Sequence, residues 1–241
     1  MNTTKELIKY HFRSYLKSNK LVMPISALMI FLFFLYKQIS AEPVDVIGSF
    51  TLSMVCLFFL MTWIGLTYND IENPVSEQLL ILKVRSEKRY YLSRNLFLII
   101  IGIIMSIITV LFPVIQNLLI NFQVLSIIDV LLGLLLHCFV AFTGSMTGAF
   151  LHPRIMKDRK LAVVLTFLMA LMGVIKISIN VKIPITRYIT WVFPPISNFM
   201  KAFAGASFYD SWKVGSSLLL LGGYGIALMI LQIHLLIKNK F

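Results

Sequence analysis

Apolar residues run almost unbroken through six stretches, 21–39, 47–68, 95–120, 127–151, 161–181 and 212–237, and polar residues gather between them. At about 1.5 Å of rise per residue, each stretch can cross a hydrocarbon core of about 30 Å as a helix. The pattern predicts an all-α, polytopic membrane protein, a single transmembrane domain over 1–241 with six spans.

The polar segments carry patterns of their own. Over 4–18, Lys5, Lys9, Arg13 and Lys17 recur every four residues, with Ile8, Phe12, Tyr15 and Leu16 beside them. That spacing predicts an amphipathic helix on the inner leaflet. Asn19-Lys20 then turns the chain into the first span, where Pro24 falls in the opening turn and does little harm. The connections 40–46, with Glu42, Pro43 and Asp45, and 121–126 are too short for domains, and Ser126 with Asp129 resembles a capping box opening span four.

The connection 69–94, NDIENPVSEQLLILKVRSEKRYYLSR, reads as two short helices. Asn73 or Ser76 can cap the first, with Pro74 at its opening and Glu77 near its positive end; Ser86 restarts a helix that runs into span three. Leu79, Leu80, Ile81 and Leu82 are four apolar residues in a loop otherwise dense in charge. Water gives them no partner, so they need a protein surface or the lipid interface.

The segment 182–211 is both long and apolar, with Trp191, Phe193, Pro194, Pro195, Phe199, Phe203, Phe208 and Tyr209. Pro194-Pro195 is incompatible with a regular helix interior, so one or two short helices should dip into the outer leaflet or pack over the bundle mouth. Aromatic anchoring at the headgroup level is the simpler account of the same residues.

Composition agrees with a lipid solvent: 59% hydrophobic and 13% charged leaves too little polar surface for a soluble domain. Of the 22 Lys and Arg, 16 fall in four alternate segments: before span one, between spans two and three, between spans four and five, and at the end of the chain. The positive-inside rule places those segments and both termini in the cytoplasm. The net charge of +12 therefore reports topology and not nucleic-acid binding. The first stretch is expected to be retained, since the residues after it form a weak cleavage site. Cys56 and Cys138 fall within spans as small hydrophobes, and no disulfide framework or metal spacing occurs.

Catalytic constellations are missing: there is no HExxH, GxSxG or GxxxxGK[ST]. The four histidines, His11, His137, His152 and His234, are isolated along the chain. Asp129 is the only acid in a span, which argues against a proton-coupled carrier. Lys176, in the outer half of span five, is either functional or snorkels to the surface. Gly144 and Gly148 form a GxxxG pair, and Gly222, Gly223 and Gly225 cluster in span six; they fit a subunit interface or sliding spans. Pro113 should kink span three and free a carbonyl for Gln116 or a neighbouring helix.

In order, these parts resemble the membrane subunit of an ABC transporter of the type-2 exporter permease family. An amphipathic helix precedes six spans, and ENPVSEQLLILKVRSEKRYYLSR looks like that family's acidic residue, leucine-rich coupling helix, break and basic-aromatic helix. Ser76-Glu77 and Val84-Arg85 stand where the commoner form has Gly-Thr and Pro. The aromatic segment before span six is similar to the family's membrane-dipping hairpin.

The resemblance implies a permease that binds no cofactor itself, with ATP and Mg²⁺ on a partner ATP-binding cassette ATPase. Leu79, Leu80, Ile81 and Leu82 would enter a groove on that ATPase, with Glu77, Lys83 and Arg85 at the rim. Trp191, Phe193, Pro194, Pro195 and Phe199 would form an outer gate. A second permease chain, identical or paralogous, would complete a unit in a bacterial plasma membrane. Apolar walls suit an amphipathic or hydrophobic cargo such as a peptide, lipid-linked glycan or toxin, and the size of the chain resembles the antimicrobial or cytolytic peptide exporters. Two other classes stay open: an intramembrane enzyme built on His137, Lys176 or Asp129, and a scaffold or sensor that uses Leu79 to Leu82.

Overall fold

A computed structural model describes residues 3–37, 46–120, 124–203 and 211–239, and every regular element among them is helical. In chain order these are α1 (Thr3–Lys17), α2 (Val22–Tyr36), α3 (Val46–Tyr68), α4 (Pro74–Val84), α5 (Glu87–Ile120), α6 (Ile127–Phe150), α7 (Arg159–Lys182), α8 (Arg187–Thr190), α9 (Ile196–Phe203) and α10 (Ser211–Lys238). Five of them, α3, α5, α6, α7 and α10, are long and apolar enough to cross a membrane. The expected first span is shorter than 21–39: α2 has 15 residues, about 22 Å of helix, and meets the test only together with α1 across a 75° bend. The loop with Glu42, Pro43 and Asp45, and Phe208 and Tyr209, lie outside the described residues.

The centre of the bundle is the α3–α6 pair, where two backbones touch. A Cβ on Gly144 would stand 2.7 Å from the Phe58 carbonyl oxygen. One on Gly148 would overlap the Thr62 carbonyl, and one on Gly65 the Ser145 carbonyl, so these positions exclude any side chain. On the other flank of α6, the rings of Phe139 and Phe142 fill the space that a Cβ on Gly222 or Gly225 of α10 would need. The Thr143 hydroxyl crosses the same seam to the Leu221 carbonyl at 3.2 Å. Gly144, Gly148, Gly222 and Gly225 are thus used inside this chain; Gly223 has open space around it.

The bend between α1 and α2 follows from Asn19, the residue expected to turn there, whose φ of 55° is left-handed. On α1, Lys5, Lys9, Arg13 and Lys17 are exposed as the spacing predicts. The inward face differs from the expected one: Leu7, His11 and Tyr15 are buried, while Leu16 is 57% exposed. Docking on α5 sets this rotation, since Phe12 and Tyr15 both meet the ring of Phe97 edge-on.

At the other end of the bundle, α5 stays helical through Pro113, and Gln116 does not serve the carbonyl freed there. Its Nε2 donates instead to the Tyr36 carbonyl of α2 at 2.5 Å. Ser126 caps α6 by accepting from the Ile128 N–H at 3.3 Å.

Candidate functional site

The short helix α4 lies between α3 and α5 in the chain, and its ends are fixed by local chemistry. Asn73 Oδ1 accepts from the Ser76 N–H at 2.7 Å with Pro74 in the first turn, while Arg85 closes the helix in the left-handed region at φ 57°. Ser86 then receives the Arg89 N–H, and α5 begins. Of the two caps open in the sequence, Asn73 is the one used.

The four apolar residues of α4 divide between two faces. Leu79 and Leu82 are exposed at 62% and 72%, Leu80 is half-buried and Ile81 is buried against Leu7, Tyr90, Tyr91 and Leu236. Val75, 63% exposed, completes an outward stripe with Leu79 and Leu82 at the i, i+4, i+7 spacing of one helix face. Lys83, Arg85, Lys88 and Arg89 are exposed around its C-terminal end.

Glu77 does not share that outward face. It is buried at 4% exposure and accepts from the Tyr91 hydroxyl at 3.0 Å. Arg154, from the α6–α7 connection, brings Nε within 3.7 Å of Glu77 Oε2 and stacks over the Tyr91 ring at 5.7 Å. The Arg154 guanidinium also donates to the Tyr91 hydroxyl and, at 3.5 Å, to the Leu236 carbonyl of α10. One residue pair on α4 and α5 thereby joins the α6–α7 connection and the last helix.

A second polar knot lies beside it. His11 Nε2 donates to Ser93 Oγ at 3.1 Å, because that hydroxyl already donates to the Tyr90 carbonyl. His11 Nδ1 faces the Tyr68 hydroxyl at 2.6 Å and Glu72 Oε1 at 3.6 Å. The Tyr90 hydroxyl donates to the other Glu72 oxygen. Burial pushes the Glu72 carboxyl up, but the His11 imidazole beside it, the Tyr90 hydrogen bond and the Arg94 charge outweigh it and hold it below its ordinary value. Arg94 stacks over Tyr68 at 5.2 Å and donates to Asn69, whose amide reaches the Ala149 carbonyl at 3.2 Å.

Between these groups and His152 lies a cavity of about 10 Å³, close to the space that one water needs. His152 is buried, and burial first, then the charges of Arg94, Arg154 and Arg159, pushes its pKa well below the ordinary value. Arg159 is held in turn by Asp70 at 2.7 Å and the Leu66 carbonyl at 2.6 Å.

By sequence, Arg94, Arg154 and Arg159 belong to the basic segments that report topology, and His11 is isolated along the chain. All four turn inward here, whereas Lys5, Lys9, Lys17, Lys83, Lys88, Lys157 and Lys160 of the same polar segments are exposed and Lys20 is half-buried. Residue type was a partial signal, because a planar guanidinium tolerates burial, stacking and forked hydrogen bonding better than an ammonium, yet Arg13, Arg85 and Arg89 stay exposed.

The segment before α10 folds back along α7. Pro194 and Pro195 are buried, with the Pro194 carbonyl 3.0 Å from where a Gly173 Cβ would stand. Gly173 lies nine residues inside the end of α7, about 13 Å along the axis. Ile196 follows into the apolar core formed with Phe50, Val140, Ala170 and Leu221. Phe193 is half-buried and Trp191 is 74% exposed; Phe199 lies on α9, with its side chain outside the described residues. Lys176 does not snorkel: it is buried, and Nζ donates to the Phe193 carbonyl at 3.1 Å. Tyr224 of α10 donates to the Val192 carbonyl at 2.9 Å, so two helices hold one loop.

No group of three metal-ligating side chains occurs among the described residues. His137 is fully buried, its Nδ1–H on the Gly133 carbonyl at 2.6 Å and its Nε2 against Ser53 at 2.9 Å. No protein-family model, curated protein or solved structure matches the chain.

Proposed function

We propose that this chain is the membrane-spanning permease subunit of an ATP-driven exporter and that its energy comes from a separate cytoplasmic ATPase docked on α4. The observation that carries the reading is the division of α4 into an outward apolar stripe, Val75, Leu79 and Leu82, and an inward face clamped through Glu77. Covering such side chains stabilises a complex by roughly 1.5–3 kcal/mol each before the costs of association. The clamp gives α4 the form of a lever. A push on it reaches α5, the α6–α7 connection and α10 through Glu77, Tyr91 and Arg154.

In this reading α2 serves as the first of six spans, both termini are cytoplasmic, and a second permease chain completes the path. The segment 183–203 forms the outer gate, and an amphipathic or hydrophobic cargo passes the apolar walls. ATP and Mg²⁺ stay on the partner. The test is co-purification of the full chain from its native membrane. An ATPase should accompany the wild-type chain, and the triple substitution Val75→Asp, Leu79→Asp, Leu82→Asp should release it while the chain stays in the membrane. A wild-type chain that brings no ATPase, or a variant that still holds it, overturns the reading.

A further inference from the structure

Where α1 bends into α2, Phe12, Tyr15, Ile101 and Met105 form the inner wall of an apolar groove of about 180 Å³, and Leu16, Ile25 and Ile104 form its exposed rim. An apolar cavity of about 150 Å³ accepts benzene, so the groove has room for part of a hydrocarbon chain. No polar atom competes for that occupant, because the only hydroxyl in the wall, that of Tyr15, is turned onto Thr67 Oγ1 at 3.4 Å.

The charge lies directly beside the groove. Lys5, Lys9, Phe12 and Leu16 form one stripe of α1 by their spacing, and Arg13 and Lys17 follow the two groove residues in sequence. All four cations are exposed, and none has a carboxylate within ion-pair distance among the described residues. Glu6 is the one acid of the helix against these four cations. An apolar slot bordered by exposed cations matches a single molecule that carries both an anion and a hydrocarbon chain.

We infer that the α1–α2 elbow is a binding site for an anionic phospholipid of the inner leaflet, with one acyl chain in the groove and its phosphate on Lys9, Arg13 and Lys17. The inference rests on the membrane-spanning reading with α1 at the inner face and needs neither the ATPase nor the cargo. A zwitterionic lipid offers the same chain but no net charge for the stripe, so headgroup charge sets the selection.

The test is native mass spectrometry of the purified full chain exchanged into detergent with phosphatidylglycerol or phosphatidylcholine. Phosphatidylglycerol should stay bound and phosphatidylcholine should not. Ile104→Trp fills the groove from its lipid-facing rim and should remove the bound lipid without changing thermal unfolding; Ile25→Trp serves as the second groove variant if the first does not fold. Arg13→Gln with Lys17→Gln should weaken retention by about fivefold per charge. Equal retention of both lipids, or full retention by the filled groove, overturns the site. Either failure leaves the α4 docking experiment untouched, and loss of ATPase docking leaves lipid retention untouched.

Discussion

The Tyr91 hydroxyl donates to Glu77 Oε1 across 3.0 Å, tying the short helix α4 to α5, the longest of the described helices. Arg154 completes the tie from the α6–α7 connection, and the pair is shielded, with side-chain exposures of 10% for Arg154 and 6% for Glu77. Removing one member of a shielded pair leaves the other charge buried and costs about 3–5 kcal/mol. Glu77→Ala is therefore expected to lower thermal stability sharply. Tyr91→Phe, which deletes the hydrogen bond to Glu77 and the one from Arg154, should cost about 1.5–3 kcal/mol for each. The double variant should fall short of the sum of the two, because both remove the same bond. Strict additivity in detergent unfolding would show that α4 is not held through this contact.

The central seam makes a sharper contrast between two glycines. Gly148→Ala puts a Cβ into the Thr62 carbonyl, a backbone atom that cannot swing aside, and the α3–α6 pair must separate. Overpacking of this kind costs about 1–3 kcal/mol or more. Gly223→Ala meets nothing within 4 Å and should raise stability slightly, by up to about 1 kcal/mol of helix propensity. Comparing the two single variants by thermal unfolding separates packing from helix propensity, which is the same at both positions.

Acid should weaken the fold through His152 before any carboxylate is involved. Its folded pKa lies well below 6.5, so the unfolded chain takes up a proton near 6.5 that the folded chain refuses. Stability is then unaffected above that value and falls as the pH drops beneath it, by up to about 1.4 kcal/mol per unit. Geometry agrees, since His152 Nδ1 accepts the Arg154 N–H at 3.2 Å and would lose that lone pair on protonation. Glu72 acts in a lower window: its folded pKa is below 4.5, so its contribution is present above that value and fades only as the pH falls further. His152→Gln should flatten the loss beginning near pH 6.5 and leave the lower one in place; an unchanged profile would assign the first loss to another group.

What was legible in the sequence was local. Asn73, Pro74 and Ser86 specify the limits of α4 and the start of α5 through side chains a few residues away. The long apolar helices need only composition and length. The clamp was not legible, because Glu77 reads as a surface acid until Tyr91 and Arg154, 14 residues on and beyond the next two long helices, are brought to it. The length of α2 was misjudged for a different reason: the 21–39 stretch runs through Lys37 and Gln38 to reach Ile39, whereas the helix stops at Tyr36, where Lys37 turns extended. Likewise, GxxxG identifies close packing but not the partner, and here the partner is α3 of the same chain.

Lys176 offers the most direct test of the segment that folds back before α10. Its ammonium is buried and donates to the Phe193 carbonyl, with no carboxylate paired to it among the described residues. Lys176→Met has two opposed effects. It relieves the cost of a buried cation, and it leaves a carbonyl without its donor, a loss of about 1–3 kcal/mol. The global unfolding temperature should therefore move little. The local effect is one-sided, because only the carbonyl side of the contact belongs to the loop. Amide exchange over 191–198 should accelerate about tenfold or more, as expected for a local loss above 1.4 kcal/mol, while α3 and α6 keep their protection. Tyr224→Phe, which frees the neighbouring Val192 carbonyl, should accelerate the same amides. Unchanged exchange in both variants would mean that Pro194, Pro195 and Ile196 hold the segment by apolar packing alone.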